Sequence, residues 1–504
     1  MALSLSTPGL MADEKPESRW KTHVRLLLNF FAAIMSAGLL GAWVVLQGLY
    51  TAEGVFSAAC PDPNKVPCVE QNSMLSNLYV VANGLLVSAW LFVGLALDSL
   101  GPRNCAMLGG VMGCCGIGLV VINLTKQDNL QLTSQMALMY CGTVLSDLGS
   151  SLVRFAIIGF TWHYPEKRGV LLGMQNGTCA FSVLIMLQVA NYYAKGVKLT
   201  NMLMCYGVCS AMATVLMGIF GVSKDEFQQM AAKVTGAQIE NATDKGMLAW
   251  FKRWLSVASR PEYRWCHISL FVSGNACLSY SSYYASNTFP YWMALFASEG
   301  TKQATKIAMD LGLKFAHYSI LNIGILGPVF GIIADKLGLK VFTMMLAMVL
   351  IAHVAFMPFG TQVLQTISIF LFTITWSFYG NLLFFFPTVY MSPSLTGAQL
   401  GVNSFQAGIC SFTSGTLIAI LATKYLSGVH VLFIPFIVLA VIGMVTLVFL
   451  PISMFVQGIP NVPPQEGVEQ GIPNVPPQEG VEQVSLLDAP SGHENGESVM
   501  RASS

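Results

Sequence analysis

The chain has 504 residues, of which 54% are hydrophobic and only 10% are charged, and its mean hydropathy is +0.60. Soluble domains carry about 25% charged residues, so this composition excludes a soluble globular protein and indicates one embedded largely in a membrane. The 26 basic and 25 acidic residues leave a net charge of +1, which excludes a polybasic surface for nucleic acid. The sequence has no GxxxxGK[ST] loop and no HExxH motif, so it predicts neither an enzyme nor a bound metal or cofactor.

Apolar runs separated by turn-rich breaks predict an all-α membrane protein with twelve membrane-spanning helices. The predicted spans lie at about 24–50, 73–97, 104–124, 135–160, 170–194, 199–222, 264–297, 314–335, 341–359, 364–390, 397–423 and 429–455. The implied segments are an N-terminal tail 1–23, a six-helix bundle 24–222, a middle loop 223–263, a second six-helix bundle 264–455 and a disordered tail 456–504 with a 13-residue tandem repeat. Seventeen of the 26 Lys and Arg residues fall on the side of the N-terminus, so we expect both tails and the middle loop in the cytosol.

One polar motif occurs twice, as GLALDSLGPR after the second span and as GIIADKLGLK after the eighth. The shared positions are Gly94, Asp98, Gly101 and Arg103 in the first copy and Gly331, Asp335, Gly338 and Lys340 in the second. A carboxylate at the end of a span is costly unless a cation or a helix N-terminus pairs with it. The motif resembles the loop of the major facilitator superfamily, whose fold is two six-helix bundles around a central cavity. The resemblance implies that Asp98 and Asp335 form an inner latch, and the alternative is two tight polar turns.

A second pseudo-repeat follows the fourth and tenth spans, where Gly169 and Gly173 align with Gly397 and Gly401. Small residues four apart allow helices to pack closely in a bilayer. Amides follow the glycines in both halves, and we predict that they face one another across a midplane site. These amides are Gln175, Asn176 and Asn403. The alternative is that they only hydrogen-bond between helices.

Asp147 and Arg154 are the charged residues near the middle of a span, seven residues apart on one helix face. The sequence allows two arrangements. In one, the two residues form a structural ion pair; in the other, Arg154 binds a substrate carboxylate with its planar guanidinium. Polar and aromatic side chains of other spans complete the predicted binding site. From these we select Gln47, Tyr283 and Tyr379.

Two further motifs lie outside the spans. Cys60 and Cys68 flank a turn-rich loop on the oxidising face and are predicted to form a disulfide, the alternative being two free thiols. The C-terminal tail ends its repeat in EQVSLL, which resembles an acidic dileucine sorting signal recognised by clathrin adaptors. Its residues are Glu482, Leu486 and Leu487.

Residues 38–61 and 96–103 are similar to the amino-acid facilitators of solute carrier family 43 and to the related apicomplexan amino acid transporters. The resemblance extends over the twelve spans and includes a polar helical stretch at 298–313. It implies a transporter that moves a cationic or a large neutral or aromatic amino acid by alternating access, in the plasma membrane or an endosomal or lysosome-like membrane. The partners implied are the amino acid and the lipid bilayer. The alternatives are a carrier of a sugar or carboxylate and a nutrient receptor that has lost transport.

Overall fold

The structure, a computed structural model, describes residues 16–36, 38–62, 68–164, 167–235, 251, 252, 254–256, 259–390, 397, 399–409, 421, 425, 426 and 429–459. The predicted sorting residues Glu482, Leu486 and Leu487 and the tandem repeat lie outside these residues. The described part of the chain is built from helices and short connections.

Eight helices of the first half lie in the described residues. They are α1 (Pro16–Met35), α2 (Trp43–Ala52), α3 (Val69–Leu100), α4 (Pro102–Lys126), α5 (Leu132–Ala156), α6 (Arg168–Ala194), α7 (Leu199–Phe220) and α8 (Lys224–Thr235). A 3-10 helix, Ile157–His163, continues α5 towards its end. Predicted and observed spans therefore agree to within a few residues for α3 to α7.

Five long helices of the second half are seen in full in the part of the chain that the structure describes. They are α9 (Pro261–Leu295), α10 (Thr301–Ser319), α11 (Gly327–Phe356), α12 (Gln362–Tyr390) and α13 (His430–Val456). Residues 399–409 are also helical, within the predicted eleventh span. A π-helical turn, Ile320–Ile325, joins α10 to α11, so the helix that leads into the eighth predicted span starts well before residue 314 and includes most of the polar stretch at 298–313.

Eight helices within the described residues are long and apolar enough to cross a membrane, and the bent pair α1 and α2 makes a ninth. The helix α9 is too polar for this criterion, because Ser, Tyr and Asn residues interrupt its apolar sequence. The helix α10 continues through the π-helical turn into α11, and residues 399–409 are helical within the predicted eleventh span. With eight or nine candidate spans among its described residues, the protein is an integral multi-pass membrane protein.

The two copies of the repeated motif adopt the same backbone conformation. Gly101 has φ 80° and ψ 165° between α3 and α4, and Gly338 has φ 78° and ψ 171° inside α11. This region of backbone space is open to glycine and strongly disfavoured for residues with a Cβ atom. The turn at Gly338 divides α11 into the end of the eighth span and the whole of the ninth, as Gly101 separates the second span from the third.

The helices of each half pack mainly on one another, and a few contacts join the halves. In the first half α4 packs against α5 and α7, and in the second half α9 packs against α13 and α11 against α12. Contacts between the halves involve α6 with α11 and α12, and α3 with α9. The bundle boundaries at 24–222 and 264–455 stay predictions.

Candidate functional site

The first span, predicted as one continuous helix over 24–50, is broken in the middle by a carboxylate from another helix. The chain bends by 65° between α1 and α2. Asp147 of α5 accepts hydrogen bonds from the backbone N–H groups of Leu39, at 2.9 Å, and of Leu40, at 3.1 Å to each carboxylate oxygen. These N–H groups open the second half-helix, whose positive end favours an anion. A Cβ atom on Gly38 would lie 2.1 Å from Asp147 Oδ1, so only glycine permits this approach.

Arg154 lies seven residues after Asp147, about 10 Å along the axis of α5. Its Nε donates a hydrogen bond to the Ser150 carbonyl, at 3.4 Å, and its Nη2 donates to Ser151 Oγ, at 3.2 Å. An ion pair with Asp147, one of the two predicted arrangements, is absent from the described residues because the broken helix occupies that carboxylate. Asp147 therefore holds the helix break, and its role as a substrate ligand stays a prediction.

An aromatic cluster lies beside Arg154 and joins the two halves. The rings of Trp90, Phe155 and Phe384 have centroids 5.4 to 6.3 Å apart. Trp90 Nε1 donates a hydrogen bond to Ser151 Oγ, at 3.0 Å, and this same hydroxyl accepts from Arg154. We call Trp90, Phe155 and Phe384 the aromatic floor. Sequence analysis missed it, because aromatic residues are common in apolar spans and nothing in their spacing shows that α3, α5 and α12 meet.

The three predicted amides differ in their hydrogen bonds. Gln175 of α6 is buried, and its Oε1 has no hydrogen-bond partner within the described part of the chain. Asn176 Nδ2 donates to the Ser377 carbonyl of α12, at 3.4 Å. Asn403 Oδ1 accepts from Gln399 Nε2, one turn earlier on its own helix, at 2.8 Å. No hydrogen bond joins Asn176 to Asn403 among these residues, and Asn403 Nδ2, like Gln175 Oε1, has no hydrogen-bond partner there. That the amides face one another across a substrate site stays a prediction.

The remaining predicted site residues divide into packing and polar contacts. The Tyr379 hydroxyl donates to the Gly274 carbonyl at 2.8 Å, and the Tyr283 ring packs edge-on against Phe436 with centroids 5.1 Å apart. Both tyrosines are buried and stabilise the second half. Gln47 of α2 is half-buried, and its side chain donates a long hydrogen bond of 3.5 Å to a serine of α3.

A direct hydrogen bond that sequence analysis missed links the halves at mid-height. Asn83 Nδ2 of α3 donates to Ser282 Oγ of α9 at 2.7 Å. The polar run of serines around 279–282 is the only signal in the sequence, and it gives no information on the partner helix.

The first of two glycine seams joins α6 to α11. The Gly169 N–H, at the start of α6, donates to Asp335 Oδ1 at 3.0 Å. A Cβ atom on Gly169 would lie 2.5 Å from the Gly331 carbonyl oxygen, and one on Gly173 would lie 2.3 Å from that of Gly327. The backbones are thus in direct contact, and the positive end of α6 faces the Asp335 carboxylate. We call these contacts the α6/α11 seam.

The second seam joins α3 to residues 397–408 and has the same arrangement. A Cβ atom on Gly397 would lie 2.4 Å from Asp98 Oδ1 and 2.7 Å from the Gly94 carbonyl oxygen. One on Gly401 would lie 3.0 Å from Leu91 Cα. The pseudo-repeat therefore places one carboxylate of the repeated motif against a glycine of the opposite half in each seam. Of the basic residues of the motif, Arg103 donates its backbone N–H to the Val222 carbonyl, and Lys340 Nζ lies 5.9 Å from the Phe455 ring centroid.

A charged cluster joins α8 to the start of the first span. Arg25 makes two hydrogen bonds to Glu226, at 2.8 and 2.9 Å, and His163 Nε2 lies 3.3 Å from the same carboxylate. Burial by itself would raise the pKa of Glu226, but the interactions with His163 and Arg25 outweigh it and lower this pKa to about 2. The cluster fixes α8 beneath the first half.

Cys60 and Cys68 are joined by a disulfide, with their Cα atoms 5.8 Å apart. The bond attaches the loop after α2 to the start of α3. Among the described residues, no group of three or more His, Cys, Asp or Glu side chains is arranged to hold a metal ion.

Comparison with solved structures identifies the arrangement of the helices. The proton:xylose symporter XylE bound to 6-bromo-6-deoxy-D-glucose matches 86% of this chain and 96% of its own, with a TM-score of 0.57 and 12% identity. The structure of a double-tryptophan variant of XylE matches 89% of this chain and 97% of its own, also with a TM-score of 0.57. The chain has the major facilitator fold.

The sequence relatives match a smaller part of the chain than the solved structures do. The mouse large neutral amino acids transporter small subunit 3 is 23% identical over 192 residues, which are 36% of this chain and 32% of the relative. The human protein of the same name is 24% identical over 189 residues, or 35% of this chain and 32% of its own. The chain therefore matches about a third of the length of these relatives. No protein-family model matches it.

Proposed function

We propose that the protein is a secondary transporter that moves an amino acid across the membrane by alternating access. The observation that carries this proposal is the pair of glycine seams, in which one half touches the other through backbone contacts and one carboxylate per seam. At these backbone contacts few side chains interlock across the interface. The two halves can therefore separate and close again as rigid bodies. The seams at the inner ends of the spans keep that side closed, and rocking apart would separate Asp335 from Gly169.

The site proposed for substrate is the space above the aromatic floor. Arg154 lies next to the floor and shares Ser151 Oγ with Trp90, so a carboxylate bound by its guanidinium would stand over the rings. Gln175 supplies a buried amide oxygen that lacks a partner among the described residues, and such an acceptor suits an ammonium group. Gln47 is a third polar contributor. An amino acid carries both charged groups, which makes it a better fit than a sugar.

The name of the mouse and human relatives supports a large neutral amino acid as the substrate class. The aromatic floor of Trp90, Phe155 and Phe384 is consistent with a large apolar side chain, because rings offer a wide contact surface without a polar requirement. We also propose that the protein resides in the plasma membrane and that the tail residues Glu482, Leu486 and Leu487 bind clathrin adaptors.

The test is transport by the purified full chain reconstituted into liposomes. Radiolabelled leucine uptake is measured alone and in competition with large neutral, cationic and acidic amino acids and with xylose. We expect saturable uptake that large neutral amino acids compete away and xylose does not. Competition by xylose alone would identify a sugar carrier, and binding without saturable uptake would identify a receptor.

A further inference from the structure

A short helical piece of the middle loop contacts the second half. Its described residues are 251, 252 and 254–256, and we call them the middle segment. Trp254 is half-buried, and its Nε1 donates a hydrogen bond to Gln399 Oε1 at 2.6 Å. Gln399 is buried at the start of the helical residues 399–409. The middle segment is therefore attached to the start of the predicted eleventh span.

This hydrogen bond fixes the orientation of the Gln399 amide. An indole N–H can only donate, so the Gln399 atom that faces Trp254 must be the oxygen. Gln399 Nε2 then donates in the other direction, to Asn403 Oδ1 at 2.8 Å and to His267 Nδ1 of α9 at 3.2 Å. If the amide turned over, its N–H groups would face the indole N–H and the bond to Trp254 would be lost. As long as Trp254 is in place, Gln399 therefore presents a donor to Asn403.

The orientation passes on to Asn403, one helical turn further along. Because Asn403 Oδ1 accepts from Gln399, the other atom of this amide, the donor Nδ2, points away from Gln399. Asn403 is only 8% exposed, and its Nδ2 is buried without a hydrogen-bond partner in the part of the chain that the structure describes. A buried donor is costly unless something accepts from it. Asn403 Nδ2 is thus available for an acceptor on a ligand.

Asn403 lies at the level of the aromatic floor. A Cβ atom on Gly401 would lie 3.2 Å from the Trp90 carbonyl oxygen, and Asn403 follows two residues later, about 3 Å along the helix axis. Trp90 belongs to the floor and shares Ser151 Oγ with Arg154. The Asn403 donor and the Arg154 guanidinium therefore lie at a similar depth, one in each half of the protein.

We propose that Asn403 Nδ2 donates a hydrogen bond to the substrate carboxylate, and that Trp254, acting through Gln399, is a positioning residue that keeps this donor turned towards the site. The inference rests on the proposed transport function. A carboxylate has acceptor positions for both Arg154 and Asn403, so the bound substrate joins the two halves. When the middle segment moves away from Gln399, the amide is free to turn over and the substrate is held less tightly.

The test measures KM and Vmax of leucine uptake by the full chain in liposomes. Trp254→Phe keeps a ring but removes the N–H group that orients Gln399. We expect KM to rise about three- to tenfold, as for the loss of one hydrogen bond, with Vmax per inserted protein unchanged. Trp265→Phe is the matched control, because Trp265 is an exposed tryptophan of α9 whose ring faces Arg264. It should leave KM unchanged.

Asn403→Leu distinguishes positioning from a general effect on the fold. It removes the proposed donor and should raise KM at least as much as Trp254→Phe does. Adding Trp254→Phe to it should then change KM no further, because both residues act on one hydrogen bond. An unchanged KM in Trp254→Phe, a fall in Vmax alone, or the same effect of Trp254→Phe with and without Asn403 would overturn this inference and leave the proposed function standing. Absence of saturable uptake by the unchanged protein would overturn the proposed function, and this inference with it.

Discussion

At the scale of single residues, Asp147 holds the break in the first span in place. Its two carboxylate oxygens accept three hydrogen bonds from the backbone of the broken first span, and the space that it occupies exists because residue 38 is glycine. A buried carboxylate is stable in a span only with strong donors, and the half-helix N-terminus supplies them without a basic partner. The residue thus fixes the bend that positions Trp43 and Gln47.

Asp147→Asn should destabilise the protein, because a neutral amide has one acceptor oxygen for two N–H groups. We expect a loss of about 1.5 to 3 kcal/mol, the range for a hydrogen bond to a charged group, and reduced uptake. Gly38→Ala should act similarly, since its Cβ would clash with Oδ1. Gly48→Ala on α2 is the control, because a Cβ atom there meets open space. Thermal unfolding in detergent measures the effect, and equal stability of Gly38→Ala and Gly48→Ala would refute the capping role.

Arg154→Lys keeps the charge but loses the planar pair of donors. We expect substrate affinity to fall at least tenfold, which corresponds to about 1.4 kcal/mol. Since Asp147 is engaged by the helix break, adding Asp147→Ala to Arg154→Ala should not restore uptake. Competition binding and uptake by the membrane-inserted variants provide the measurement. Recovered transport in the double variant would show that the two charges form a structural pair and would remove Arg154 from the site.

At the scale of helices, the two seams depend on glycine at the contact points. Gly173→Ala would place a Cβ atom 2.3 Å from the Gly327 carbonyl oxygen, so the α6/α11 seam must separate. We expect inner-side opening to be favoured, with a stability loss of about 1 to 3 kcal/mol for overpacking. Gly118→Ala on α4, where a Cβ atom meets nothing within 4 Å, should behave as the unchanged protein. The measurement is the rate at which a thiol reagent added from the inner side labels Ser377→Cys in each variant. Identical labelling in the Gly173→Ala and Gly118→Ala variants would contradict the seam.

The attachment of α8 is expected to depend on pH. The pKa of Glu226 is lowered from 4.5 to about 2, so its ionised form stabilises the folded state above pH 4.5, and this contribution is lost as the pH falls from 4.5 to 2. Glu226→Gln should reduce thermal stability at pH 7 and have progressively less effect in acid. Asp225→Asn, an exposed acid one residue earlier, is the charge-matched control. Equal effects of the two substitutions at pH 7 would show that Arg25 and His163 contribute nothing specific.

At the scale of the whole molecule, the sequence predicts the fold more completely than it predicts the site. Hydropathy locates α3 to α7 and α13 because lipid contact demands long apolar runs, and the repeated motif indicates the two related halves. The break in the first span could not be predicted, since both sides of it are apolar and its cause, Asp147, lies more than a hundred residues away. The partner of Asn176 on α12 was missed for the same reason: spacing gives the face of a helix but not the helix opposite.

The central claim is that the halves move relative to each other to carry an amino acid. The most direct test uses Asn83→Cys with Ser282→Cys, on a background in which the cysteines other than Cys60 and Cys68 are replaced, because these two side chains touch across the halves at 2.7 Å. Leucine uptake into liposomes is measured before oxidation, after it and after reduction, with each single-cysteine variant as control. We predict saturable uptake that disappears when the disulfide forms and returns when it is reduced. Undiminished uptake by fully crosslinked protein, or no saturable uptake before oxidation, would contradict the account.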